Sequence, residues 1–482
     1  MAIPGAAGNF FETFYDAQGL IPMLNPLPVS EWTPQAAAHL LNRAAFGGTP
    51  DEIQKLHALG HPGAIESLLG AGEESDLFPA PEMEPIAARM HTLKKENLSR
   101  EAFQERKKKD RALTQRQTEE LRQWWLRRML KSPNPAREKA TLFWHGHWAT
   151  GIRKVKDPFL MHRQNETLRA NALGPFAPLA KQITRDPAMI IYLDLQSSSA
   201  KKPNENFARE VMELFTLGEG HYSEADITEA ARAFTGYRIN HKAGSFEFRA
   251  QQADSRTKTV LRKTGPLTGD DVVDIIVAQP RCSEFLAGKI WTYYAGTKPP
   301  EALQKALGKE YRLRGMDTGK LLRSIFTSRE FYEPGVVRRQ IKSPVQWLIQ
   351  MCKALEIPLL SRKESLPLLS NLGQNLFEPP NVKGWDGGRA WISSSTLLIR
   401  YNAAGNIVRG GTGPKPNIDQ IFPSGLSTEQ AVDLLAWRLF QSPMPPALRE
   451  RTLAFLSENG TSAAARHDLL HLLMSSPEYQ LT

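Results

Sequence analysis

Apolar positions recur at three- and four-residue intervals along most of the chain, and that spacing predicts a mainly α protein. After a Pro- and Gly-rich arm over residues 1–32, the helical pattern begins at Thr33. Thr49-Pro50-Asp51-Glu52 is a strong helix start: a capping threonine, proline in the first helical position, then acids in the first turn. Gly60 is its natural stop. An acidic, proline-containing linker then leads into a long charged helix over about 88–131, ending at Ser132-Pro133-Asn134-Pro135.

Asn134 and Pro135 start a further helix that runs into Phe143-Trp144-His145-Gly146-His147-Trp148. Asn204 opens a helix through Leu217, stopped by Gly218, and Ser223 opens another, stopped by Gly236. This reads as a capped αα-hairpin. Only near 237–265 does the period change: Tyr237-Arg238-Ile239 and Phe246-Glu247-Phe248 alternate as one short β-hairpin element would. Six more helices follow between about 270 and 373, broken by a loop from Pro379 to Gly388.

The expected organisation is a multi-helical globular protein in several parts. A helical subdomain over 33–71 follows the arm, then a linker and long basic helix over 72–131 and a main helical domain over 132–402. A Gly/Pro-rich linker over 403–425 joins a C-terminal helical subdomain, 426–482. Leu321–Tyr332 and Leu469–Tyr479 echo one another, which suggests a duplicated helical unit; a solenoid would need at least three copies.

Composition changes this picture little. A hydrophobic content of 41% and a charged content of 23% are globular values. The net charge of +10 is mostly local, because residues 89–131 hold 14 Lys/Arg against 6 Asp/Glu. Acids interrupt that run and aromatics are few in it, so a solvated helix face is favoured over a nucleic-acid footprint. Cys282 and Cys352 form no zinc or disulfide framework. No run of 18 apolar residues spans a membrane, and the N-terminus has no visible export signal, which favours the cytoplasm.

Three constellations could carry chemistry. His145 and His147 are candidate ligands for a divalent metal or proton-transfer groups. On a helix, however, residues two apart diverge by roughly 200° and cannot chelate one ion. Gly146 therefore decides whether His147 swings back, while Glu138 lies seven residues before His145 on the same stripe. Glu210 and Glu213 share a helical face and read as an acid/base pair, or as members of a salt-bridge network with Arg209 and Arg232. In the loop, Lys383, Trp385 and Trp391 could hold an anion or stack on a sugar, or they could pin the loop.

His39–Gly47, Phe143–Trp148, Asp186–Met189, Pro203–Gly218, Ala231–Gly236, Ile341–Pro344 and Pro379–Trp385 together resemble the bacterial family called domain of unknown function 1800, over residues 35–403. The resemblance implies an unassigned activity, a sulfatase-like partner of the family called domain of unknown function 1501, and an envelope location. The family's usual His-Asp after the second strand is Ala253-Asp254 here, so that histidine's role is lost. The leading expectation is a hydrolase-type enzyme, metal-assisted or acid/base, built on His145, His147, Glu210 and Glu213 and acting on an envelope polymer or ester. Arg209, Arg232, Lys383, Trp385 and Trp391 would contact its substrate. A non-catalytic scaffold that docks the partner, or a glycan-binding protein, are the alternatives.

Overall fold

Two hydrophobic cores divide the helices of the computed structural model, which describes residues 14–15, 22–70, 77–96, 98–411 and 413–482. The first core is enclosed by helices that include Pro34–Ala44, Phe176–Thr184, Glu205–Glu213, Glu224–Ala233, Pro280–Ala295 and Thr318–Thr327. The second takes the C-terminal half of the long helix Arg100–Lys131 together with Pro344–Ala354, Ser394–Val408 and Ala463–Ser475. Among the described residues 23 α-helices stand against a few two-residue to four-residue strands, so the protein is mainly α. No helix of the described residues is long and apolar enough to cross a membrane.

Local chemistry explains most boundaries. The Thr49 side chain accepts the Glu52 amide while the Glu52 carboxylate accepts the Thr49 amide, a reciprocal cap. Ser223 and Asp226 repeat the arrangement at the second helix of the αα-hairpin, and Asn204 caps the first. Those two helices end earlier than the pattern predicts, at Glu213 and Ala233. Turns follow each, and Gly218 and Gly236 close them at φ +83° and +84°.

Two elements are more finely divided than the pattern predicts. The charged stretch is two helices, Ile86–Lys95 and Arg100–Lys131, because the Ser99 hydroxyl accepts the Ala102 amide and starts the second afresh. Residues 237–265 form two consecutive antiparallel hairpins, Tyr237–Asn240 with Ser245–Phe248 and Lys258–Val260 with Lys263–Gly265. Most of the predicted arm and residues 71–76 of the acidic linker lie outside the described residues.

The internal echo has a structural counterpart. Thr318–Thr327 and Ala463–Ser475 each run into a 3-10 turn that buries an aromatic side chain, Phe331 in the first core and Tyr479 in the second. The backbone after each copy then pairs elsewhere, with Ile341 opposite Leu481. The helix Pro135–His147 lies between the cores: Ala136, Ala140, Phe143 and Trp144 face the first, Leu142 the second.

Candidate functional site

Proline in the first turn and Glu138 near the positive end of the dipole favour the helix Pro135–His147. Gly146 does not end it. The helix continues through His147, so the two imidazoles leave it on different sides.

His145 is buried among Trp125, Phe377 and Trp385, with ring centroids 5.2, 5.3 and 5.7 Å away. Its Nε2 accepts the Phe377 amide at 3.2 Å, which leaves the ring proton on Nδ1. Burial lowers its pKa to about 3, so the ring is neutral at ordinary pH. His147 is walled by Phe143, Trp144, Trp148 and Phe215, and its Nε2 donates to the Phe215 carbonyl at 2.9 Å. Burial, then the charge of Lys289, holds this ring well below the usual histidine range.

Glu138 is fully buried one helical stripe back from His145. Its carboxylate accepts Arg128 Nε at 2.9 Å, Arg169 Nε at 2.7 Å and Trp125 Nε1 at 2.8 Å. Burial alone would raise its pKa, but Arg169 and Arg128 outweigh it and hold the group ionised. Trp125 therefore joins Glu138 to His145, donating to the one and packing edge-on against the other.

Glu210 and Glu213 stand on the half-buried face of the helix Glu205–Glu213. Glu213 accepts the Tyr222 hydroxyl. Burial and the neighbouring Glu213 raise the Glu210 pKa, while Lys383 and Arg209 oppose the shift. The Glu210 carboxylate accepts no side-chain or backbone hydrogen bond among the described residues. No hydrogen bond or ion pair joins either carboxylate to either imidazole among the described residues. Nor do the described residues hold any group of three His, Cys, Asp or Glu placed to bind a metal ion.

The candidate substrate contacts also separate. Arg209 forks onto exposed Glu224 at 2.9 and 2.6 Å. Arg232 is held by Asp254 and Glu229, and Asp254 is shared with Arg256, so these arginines tie the αα-hairpin to the strands. Lys383 is exposed beside Glu210. Trp385 is half-buried against the histidine helix, and Trp391 is buried and offers solvent no stacking face. Gly384 lets this loop approach: at φ +86°, a Cβ there would sit 2.1 Å from the Gly146 carbonyl oxygen.

Sequence reasoning missed a set of buried cations. Lys139 points from the histidine helix to Gln346, over the rings of Phe46 and Tyr293, and burial, then Arg43, lowers its pKa to about 7. Arg43, Lys342 and Arg400 are buried as well. The available signal was a cation set among largely apolar neighbours in a helical run, as Arg43 is between Leu40-Leu41 and Ala44-Ala45-Phe46.

The comparison with known families agrees with the motif blocks. The family described as protein of unknown function (DUF1800) matches residues 39–481. The chain belongs to this family. The match runs through the C-terminal helices, beyond the residues whose motifs carry the resemblance. No curated protein and no solved structure is similar to this member of the family.

Proposed function

We propose that this protein is a non-catalytic scaffold that docks a sulfatase-like partner, with the histidine segment serving as a lock within its own fold. One observation carries the reading: the side chains most suggestive of chemistry are spent inside the chain. His145 takes the Phe377 amide, His147 gives to the Phe215 carbonyl, and Glu138 takes two arginines and a tryptophan. A catalytic imidazole needs reach to its substrate and a pKa near the working pH. Both rings are buried and neutral.

A group of exposed apolar side chains supports the reading. Leu397, Leu398 and Tyr401 are 40%, 59% and 45% exposed on the helix Ser394–Val408, at spacings that place them on neighbouring turns. Leu472 is 49% exposed on the adjacent helix, next to His471, whose ring lies 4.3 Å from that of Tyr401. Grouped exposed apolar side chains mark protein contact surfaces. The resemblance supplies the class of partner. Titration of the purified chain with a purified sulfatase-like protein of the family called domain of unknown function 1501 tests the reading. Leu398→Asp and Tyr401→Asp each weaken binding by about tenfold or more, and His145→Ala lowers the melting temperature without changing Kd. Absence of binding, or binding indifferent to both surface changes, overturns it.

A second reading keeps acid/base hydrolysis at the carboxyl pair. It is supported by Glu210, whose half-buried carboxyl has no hydrogen-bond partner among the described residues and a raised pKa, beside Lys383 and the Tyr222–Glu213 bond. A panel of activated esters and glycosides assayed across pH, with Glu210→Gln as control, separates it from the scaffold: only the enzyme gives turnover that the variant abolishes.

A further inference from the structure

Beside the exposed apolar side chains Tyr401 and Leu472 lies a histidine to which the scaffold function gives no part. His471 stands on the helix Ala463–Ser475 and is 6% exposed, its ring 4.3 Å from that of Tyr401. The imidazole is sunk into the surface of the helix Ser394–Val408 at Gly405. A Cβ there would meet the ring's Cε1 and Nε2 at 2.8 Å. Glycine is therefore what lets the ring lie against that backbone.

Both ring nitrogens are engaged, and the chemistry of their partners fixes the proton. Arg409 Nη1 lies 3.2 Å from Nδ1, and a guanidinium can only donate, so Nδ1 is the bare nitrogen. Nε2 then carries the proton and donates to the Tyr401 carbonyl at 3.0 Å. The same guanidinium gives its Nη2 to Asp468 Oδ1 at 2.8 Å, so one arginine spans the ring and the carboxylate. Arg409 and Asp468 are each half exposed, and water can take over either bond.

Those two are the charged groups that act on the ring. Burial lowers its pKa, the Tyr401 carbonyl raises it, and the smaller effects of Arg409 and Asp468 oppose one another. The other charges nearby are turned elsewhere. His467 bonds the Ala463 carbonyl, Arg400 donates to Gln480 and to the Lys342 carbonyl, and Asp419 takes Arg466. No charged group of Pro446–Asn459 or Pro477–Gln480 acts on the ring. The imidazole is thus neutral near pH 7. Protonation cannot leave this arrangement as it is. A proton on Nδ1 sets an N–H against the N–H groups of Arg409, with like charge on both sides. The arginine must then leave, and Asp468, three residues back on the same helix, is the nearest acceptor. The cation that results stays beside Tyr401 and Leu472, where a partner covering them must bury it away from water.

We infer that His471 is a proton switch for this apolar face. Neutral, it holds Arg409 across the two helices. Protonated, it exchanges Arg409 for Asp468 and weakens docking at Tyr401 and Leu472. The weakening of docking rests on the scaffold function proposed for the protein, whereas the exchange of partners belongs to the chain alone.

NMR titration of the intact protein with carbon-13-labelled histidine reads the exchange without a partner, and the resonance missing from His471→Gln assigns the ring. The midpoint is expected below the usual histidine value of about 6.5. It should move up in Arg409→Met, which removes the competing cation, and down in Asp468→Asn, which removes the second acceptor. A midpoint that stays in place in either variant overturns the exchange. Affinity for the purified sulfatase-like partner should fall about tenfold for each pH unit below that midpoint. The fall should vanish in His471→Gln, whose amide can accept from Arg409 and donate to the Tyr401 carbonyl without titrating. An affinity that holds steady in the wild type, or falls equally in the variant, overturns the control of docking. Absence of binding at every pH overturns the scaffold function, while the two NMR shifts still decide the exchange.

Discussion

His145 Nε2 accepts the amide of Phe377 at 3.2 Å, and Phe377 is a non-glycine residue held at φ +62° whose own carbonyl takes the Ile152 amide at 2.8 Å. The imidazole thus fastens a strained corner of chain 232 residues away in sequence to the helix between the two cores. Replacing it by alanine leaves the Phe377 amide unpaired and opens a cavity beside Trp125. His145→Ala is expected to cost about 3 kcal/mol of unfolding free energy, read from urea denaturation. Metal analysis of the wild-type protein accompanies it. A stoichiometric divalent ion lost in the variant would contradict a purely structural ring.

The same ring predicts a pH dependence. Its folded pKa of about 3 lies below the value of about 6.5 expected in the unfolded chain. Between those values the unfolded state binds a proton that the folded state does not, so stability rises with pH across the window. The contribution is complete above about pH 6.5 and is lost as pH falls toward 3, by about 1.4 kcal/mol per pH unit. His145→Gln, which keeps an acceptor but does not titrate, should flatten the stability curve between pH 6 and pH 4 by that slope. An unchanged slope would mean that the ring meets solvent.

Glu138 is expected to tolerate substitution worse than any exposed acid. Glu138→Gln leaves Arg128 and Arg169 without the charge they share, and breaking a buried pair in this way costs about 3–5 kcal/mol. Exposed Glu224, paired with Arg209, should lose far less when made glutamine, because solvent screens a surface pair. Thermal denaturation of the two variants side by side checks the contrast.

Part of this arrangement was readable in advance. Thr49, Asn204 and Ser223 announce helix starts because a cap is made by residues three apart, and the seven-residue spacing of Glu138 and His145 placed both on the stripe that meets Trp125. The break at Ser99 was hidden by helix-forming residues on both sides of a single capping serine. That Glu210 makes no hydrogen bond to the histidines among the described residues has another cause. Which face a helix turns to its neighbours depends on packing partners hundreds of residues away, and a local period carries no record of them.

Two glycines of the histidine block should respond in opposite senses. Gly146 lies inside a helix, and the nearest atom to a Cβ there is 3.7 Å away on Trp385, an ordinary contact. Gly146→Ala should therefore stabilise by about 0.5–1 kcal/mol, through the smaller entropy of the unfolded chain. Gly384 has φ +86° and no room beside the Gly146 carbonyl, so Gly384→Ala must move the loop off the helix. Its cost should exceed about 2 kcal/mol. Because Trp385 follows Gly384 and packs on His145, the variant should also shift tryptophan fluorescence, whereas Gly146→Ala leaves the spectrum unchanged. If both variants prove neutral, the loop does not rest on the histidine helix. If both prove costly, Gly146 is needed as glycine for a contact that the helix geometry does not explain.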